Sequence, residues 1–111
     1  MQVVCIVLNR VELLDDLLLR FSEAGITGAT FVDGRGMAKE LHDHNEFRFL
    51  GSLRHMFNVS RKESKVIFTV VQDEQVATVS RVTNEVTGGL DHPETGILFA
   101  LPVSFAEGLP K

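Results

Sequence analysis

Val3-Val4-Cys5-Ile6-Val7-Leu8 and Val66-Ile67-Phe68-Thr69-Val70-Val71 decide how this chain folds. Both runs have the length of a strand, and neither alternates apolar with polar residues. A strand with one wet face alternates, because successive side chains point to opposite faces. Here Val3, Cys5 and Val7 share one face and Val4, Ile6 and Leu8 the other, so both faces call for burial. The sequence offers only two good helical segments, enough to cover one face of a small sheet. The second face is left for another copy of the chain or for a partner, which points to an oligomeric binding protein.

Working outward, 111 residues make one domain, 1–111. A hydrophobic content of 44% with 23% charged residues is that of an ordinary globular fold. The net charge of −4 argues against a nucleic-acid surface, which needs clustered Lys and Arg. No apolar stretch approaches the ~20 residues of a membrane span. Met1 leads directly into a strand, without the pattern of a signal peptide. The single cysteine, Cys5, has no partner for an internal disulfide and reads as a buried thiol in a central strand. A cytoplasmic location is expected from these features.

Val3 to Leu8 is the first strand. Asn9 is expected to cap a helix, with Glu12 completing a capping box. Leu14, Leu17, Leu18 and Phe21 lie at i, i+3, i+4 and i+7 and form its apolar face, and Gly25 ends it. Residues 29–33 form a more polar second strand. Lys65 to Val71 is the third. Asp73 is expected to cap a second helix running to about Thr87, with Val76, Val79, Val82 and Val86 as its stripe. This helix is rich in β-branched residues, so packing has to hold it. Gly88 and Gly89 stop it, and Asp91 to Glu94 form a turn. Gly96 to Val103 is the fourth strand, and Pro102 assigns it to a sheet edge.

Residues 37–63 stand apart. They mix His42, Asp43, His44, Arg48, Arg54, His55, Arg61 and Lys62 with Phe47, Phe49, Leu50, Leu53, Met56 and Phe57. They lack sustained periodicity and read as a long, partly mobile connection of the kind that usually carries function. The order is then β-α-β, long loop, β-α-β. This is the α+β, ferredoxin-like βαββαβ pattern, an antiparallel sheet with two helices on one face. Strands one and three are expected at its centre, and strands two and four at its edges.

Given that order, Gly25-Ile26-Thr27-Gly28-Ala29-Thr30-Phe31-Val32-Asp33-Gly34-Arg35-Gly36-Met37 resembles the second-strand signature of the PII signal-transduction superfamily, which opens the long T-loop. Thr95-Gly96-Ile97-Leu98-Phe99-Ala100-Leu101-Pro102-Val103 resembles that family's last strand, where Gly-Lys-Ile-Phe-Val is typical. The resemblance implies a homotrimer with adenine nucleotides bound in clefts between subunits. It also implies a T-loop that docks on a partner protein such as a transporter or an enzyme.

Residue by residue, Gly28, Ala29 and Thr30 match positions that contact adenine. Gly36 matches the glycine that opens the T-loop, and Lys39 falls where a basic residue is common. Thr87, Gly88, Gly89 and Gly96 are expected around the opposite wall. The departures are plain: Ile97 stands in place of the phosphate-binding lysine, no basic residues follow the last strand up to Pro110, and the chain has no tyrosine to modify. Losing a fixed cation weakens charge-assisted hydrogen bonds of ~1.5–3 kcal/mol each. A less charged ligand, or none, becomes a matching expectation.

Other constellations leave alternatives open. His42, His44 and His55, with Asp43, are either a metal site, as in a CutA-like metal-tolerance protein of the same fold, or solvated loop residues. Lys39, Arg48, Arg54, Arg61 and Lys62 either engage an anionic partner or keep a loop soluble. Phe47 and Phe49, with Arg48 and Arg54, read as a docking patch for the partner protein, and Leu53 and Phe57 as packing. Asp91, His92 and Glu94 lack a nucleophile, so a turn is expected there and not catalysis. No enzymatic motif and no resident cofactor are expected. A scaffold without a ligand is the remaining alternative.

Overall fold

The computed structural model describes residues 1–37, 40–41 and 63–109. Four strands, β1 (Gln2–Leu8), β2 (Thr30–Gly34), β3 (Ser64–Val71) and β4 (Gly96–Pro102), form one sheet in the order β2-β3-β1-β4. Every neighbouring pair is antiparallel. Two helices, α1 (Leu14–Glu23) and α2 (Val76–Thr87), cover one face. The fold is therefore α+β and ferredoxin-like, with the most apolar strands at the centre and the Pro102 strand at an edge.

The core lies between the helices and one sheet face. Val4, Ile6 and Leu8 of β1 and Ile67 and Val71 of β3 meet Leu14, Leu17 and Phe21 of α1 and Val79 and Val82 of α2, all buried. The valine stripe of α2 is only part of its buried surface. Thr83 and Thr87 are also buried, and each hydroxyl donates to the carbonyl four residues back, Val79 O at 2.7 Å and Thr83 O at 2.8 Å. That local bond satisfies the polar group and lets threonine occupy a core position.

The other sheet face carries no helix. Val3, Cys5 and Val7 share it with Val66, Phe68 and Val70 of β3, all half-buried. On β4, Ile97, Phe99 and Leu101 continue it at 61%, 44% and 54% exposure, and on β2 Val32 is also exposed. The face is largely apolar, with Thr30 of β2 and Ser64 of β3 also on it. Cys5 belongs to it and is half-buried, not the fully buried thiol expected from the sequence. The expectation ran together central position in the sheet with burial on both faces.

Two capping expectations are corrected. The turn before α1 is a 3-10 turn over Val11–Leu13, and the Asn9 side chain makes no cap. Asn9 instead ties the turn through its backbone, N–H to Thr95 O at 3.1 Å and carbonyl to Val11 N–H at 3.0 Å. At the second helix Asp73 is not the cap. The 3-10 turn Asp73–Gln75 precedes α2, and the Gln75 side-chain oxygen accepts the Gln72 N–H at 2.9 Å. Asp73 instead accepts from the Met1 ammonium at 2.7 Å. No helix among the described residues is long and apolar enough to cross a membrane.

Candidate functional site: a cleft where β2 leaves β3

The candidate site begins at the end of α1. Gly25 adopts a left-handed φ of +88°, its N–H bonds Ser22 O at 3.1 Å, and the Ile26 N–H bonds Phe21 O at 2.8 Å. This pair of bonds is a Schellman termination, and it turns the buried Ile26 back onto the core. The following residues, Thr27 to Ala29, are exposed and run away from the sheet until β2 starts at Thr30, opposite Phe68.

Beyond Phe68, β3 continues to Val71 without β2 beside it. The divergence opens a cavity of about 670 Å³ between residues 25–30 and the end of β3. Gly28, Ala29 and Thr30 line one side. Phe68, Gln72 and Gln75 line another, with Val3 and Leu109 at its margin. The Thr69 hydroxyl donates to the Gly28 carbonyl and pins the loop. No β-carbon added at Gly28 would meet any atom within 4 Å, so this position faces open space. No Lys or Arg is among the described residues lining the cavity. What it offers is backbone, hydroxyl and carboxamide groups over apolar side chains. Met1 lines the cavity as well, its ammonium already paired with Asp73 at 2.7 Å, so the surface suits a weakly charged ligand better than a polyanion.

A second, smaller cavity of about 370 Å³ lies at the opposite end of β1. Thr87, Gly88, Arg10, His92 and Thr95 line it, and Arg10 Nη1 donates to Thr87 O at 3.3 Å. A guanidinium on the last carbonyls of a helix satisfies that terminus. Gly88 is the left-handed C-cap of α2 with φ +83°. Gly89 follows with φ +121°. Gly96 pairs with Leu8 at the start of β4.

The residues expected to form one site therefore fall at two edges of the sheet. Gly28 to Thr30 sit on the β2 edge, with Thr30 level with Cys5 in the middle of β1, whereas Gly96 sits on the β4 edge beside Leu8 and Thr87 to Gly89 follow the end of α2. One chain does not bring them together. Gly36 follows β2 at the far edge, and its carbonyl accepts the Glu40 N–H at 3.0 Å as the chain enters a helical turn at Met37, Glu40 and Leu41. Lys39, the docking residues Phe47, Arg48, Phe49 and Arg54, and the alternative metal ligands His42, His44 and His55 lie outside the described residues. Among the described residues no three His, Cys, Asp or Glu side chains are grouped to hold a metal ion.

Sequence reasoning missed Gln72, Gln75 and Thr69 as cleft residues. A signal existed for Gln75, three residues after Gln72 at a helix start, which is the spacing of a capping box. No family model and no curated protein matches this chain.

Proposed function

We propose that this protein is a PII-like regulator that acts by binding and not by chemistry. Copies assemble as a homotrimer through the uncovered sheet face. An adenine nucleotide occupies the cleft between neighbours, with Gly28, Ala29 and Thr30 on one wall and Thr87, Gly88, Gly89 and Gly96 of a neighbouring copy on the other. Segment 37–63 docks on a partner protein, and the nucleotide shifts which arrangement of that segment is populated.

The observation that carries this reading is the separation of the two walls. Thr30 on β2 and Gly96 on β4 belong to opposite edges of the sheet in one subunit, which favours a ligand shared between two copies. The largely apolar outer face supplies a reason for copies to meet.

Two measurements test the reading together. Sedimentation at micromolar concentration is expected to give a species of three chains. Calorimetry with ATP, ADP and AMP is expected to give heat that Gly28→Trp abolishes, because a β-carbon there meets no atom within 4 Å and the indole beyond it takes up room in the cleft. A well-folded single subunit, or nucleotide heat untouched by Gly28→Trp, would sink the proposal.

A further inference from the structure

We infer that Gln75 is the residue that reads the ligand in this cleft, and that it does so as a hydrogen-bond donor to an acceptor edge, such as a ring nitrogen of the base. The inference rests on the nucleotide reading of the cleft given above.

Gln75 lines the cavity and is half-buried. Its carboxamide has two ends, one accepting and one donating. The accepting end is already used: Oε1 takes the Gln72 backbone N–H at 2.9 Å as the chain turns into α2. That bond fixes which end of the amide is which, a choice otherwise left to rotation of the side chain. The Nε2 group makes no hydrogen bond among the described residues. What Gln75 can give a ligand is therefore a donor, held in place by the helix start.

Gln72 also lines the cavity and its side chain takes the Gln75 backbone N–H in the same capping box, but it is exposed, whereas Gln75 is half-buried. The Thr69 hydroxyl is spent on the Gly28 carbonyl. The apolar walls from Val3 and Phe68 give a flat ring something to lie against, but they do not distinguish one ring from another. A directed donor does. A pocket that hydrogen-bonds its ligand discriminates strongly against a ligand or variant that leaves one partner unmatched.

The test separates recognition from the cap. Gln75→Glu keeps an oxygen to accept the Gln72 N–H, and Glu is a favoured residue at that capping position. It replaces the donor by an acceptor. Gln75→Ala removes both. Calorimetry with adenosine, AMP and ATP on the full chain, with thermal melting beside it, is the experiment. Gln75→Glu is expected to melt with the wild type and to bind adenosine and AMP about tenfold more weakly or worse. Gln75→Ala is expected to weaken binding as well and to melt lower. If Gln75 serves only the helix, Gln75→Glu binds like wild type while Gln75→Ala alone loses affinity, and that result overturns the inference while leaving the cleft as a nucleotide site. A wild-type protein that binds none of the three compounds removes the nucleotide reading and this assignment with it.

Discussion

A β-carbon placed on Gly96 would press into the backbone carbonyl oxygen of Val7 on the neighbouring strand, closer than any real contact of that kind. Gly96 also holds φ at +153°, outside the range that L side chains favour. It begins β4 and pairs with Leu8, so the fourth strand enters the sheet at a point where only hydrogen fits. The resemblance gave Gly96 a part in ligand binding, and the sheet gives it a packing reason of its own. Gly96→Ala is expected to cost roughly 2 kcal/mol or more, the sum of backbone strain and displacement of β1 from β4. Thermal melting would show a fall of about 10 °C. A variant that melts with the wild type would mean that the β4 entry gives way more easily than this contact implies.

The row Phe99, Cys5, Phe68 runs straight across three strands on the outer face. If copies cover this face, the thiol at its centre is shielded in the assembly. Phe99→Asp is expected to dissociate the protein to single chains in sedimentation, since a desolvated carboxylate in an apolar interface is costly. The Cys5 thiol should then react with a water-soluble disulfide reagent many times faster than in the wild type. Equal thiol rates together with unchanged sedimentation would exclude this face as the contact.

Thr69 gives a third expectation. Its hydroxyl holds the Gly28 carbonyl, and its side chain is otherwise buried at 3% exposure. Thr69→Val keeps the shape and removes the bond. Global stability should fall by about 1 kcal/mol. Amide exchange at Thr27 to Ala29 should quicken more than exchange in β1, and nucleotide affinity should drop with it. Unchanged exchange in that segment would show that Ile26 and the Schellman turn hold the cleft without help from Thr69.

The fold was legible because the hydrophobic pattern over-determined it. Val3 to Leu8 and Val66 to Val71 could only be central, and Pro102 could only be peripheral. What escaped were features that arise from how segments meet. Thr83 and Thr87 read as polar, yet each satisfies its hydroxyl within its own helix turn and is buried. The cleft itself has no local signature. It exists because β2 stops pairing at Phe68 while β3 runs on, and a pairing limit depends on two segments far apart in sequence. Gly28 to Thr30 are legible through a resemblance, whereas the capping-box spacing marks Gln75 only as a helix start, and its place beside them follows from where β3 ends.

The charged groups on the helical side set how stability responds to acid. Glu85 takes hydrogen bonds from Arg81 of its own helix and from Arg20 of α1, and these hold its carboxyl below the ordinary value of 4.5. Asp73 takes a hydrogen bond from the Met1 ammonium and another from Gln2, and is likewise lowered from 3.8. A carboxyl whose pKa is depressed by folding binds its proton more readily in the unfolded chain. It contributes stability that is full above the unfolded value and is lost as pH falls through the lowered folded one. Lys65 behaves in the opposite sense: its hydrogen bond to Asp33 raises it above 10.5, so its contribution is full below that value and lost in stronger alkali. Urea midpoints are therefore expected to be level through neutral pH and to decline below about pH 4.5. Both carboxyls are well exposed, so the decline should be shallow and should shrink in high salt. Glu85→Gln should lie below wild type at pH 7 and run closer to it in acid, because the substituted group no longer titrates. Parallel curves for the two proteins across the acid range would show that the Arg20–Glu85–Arg81 cluster contributes nothing to joining the helices.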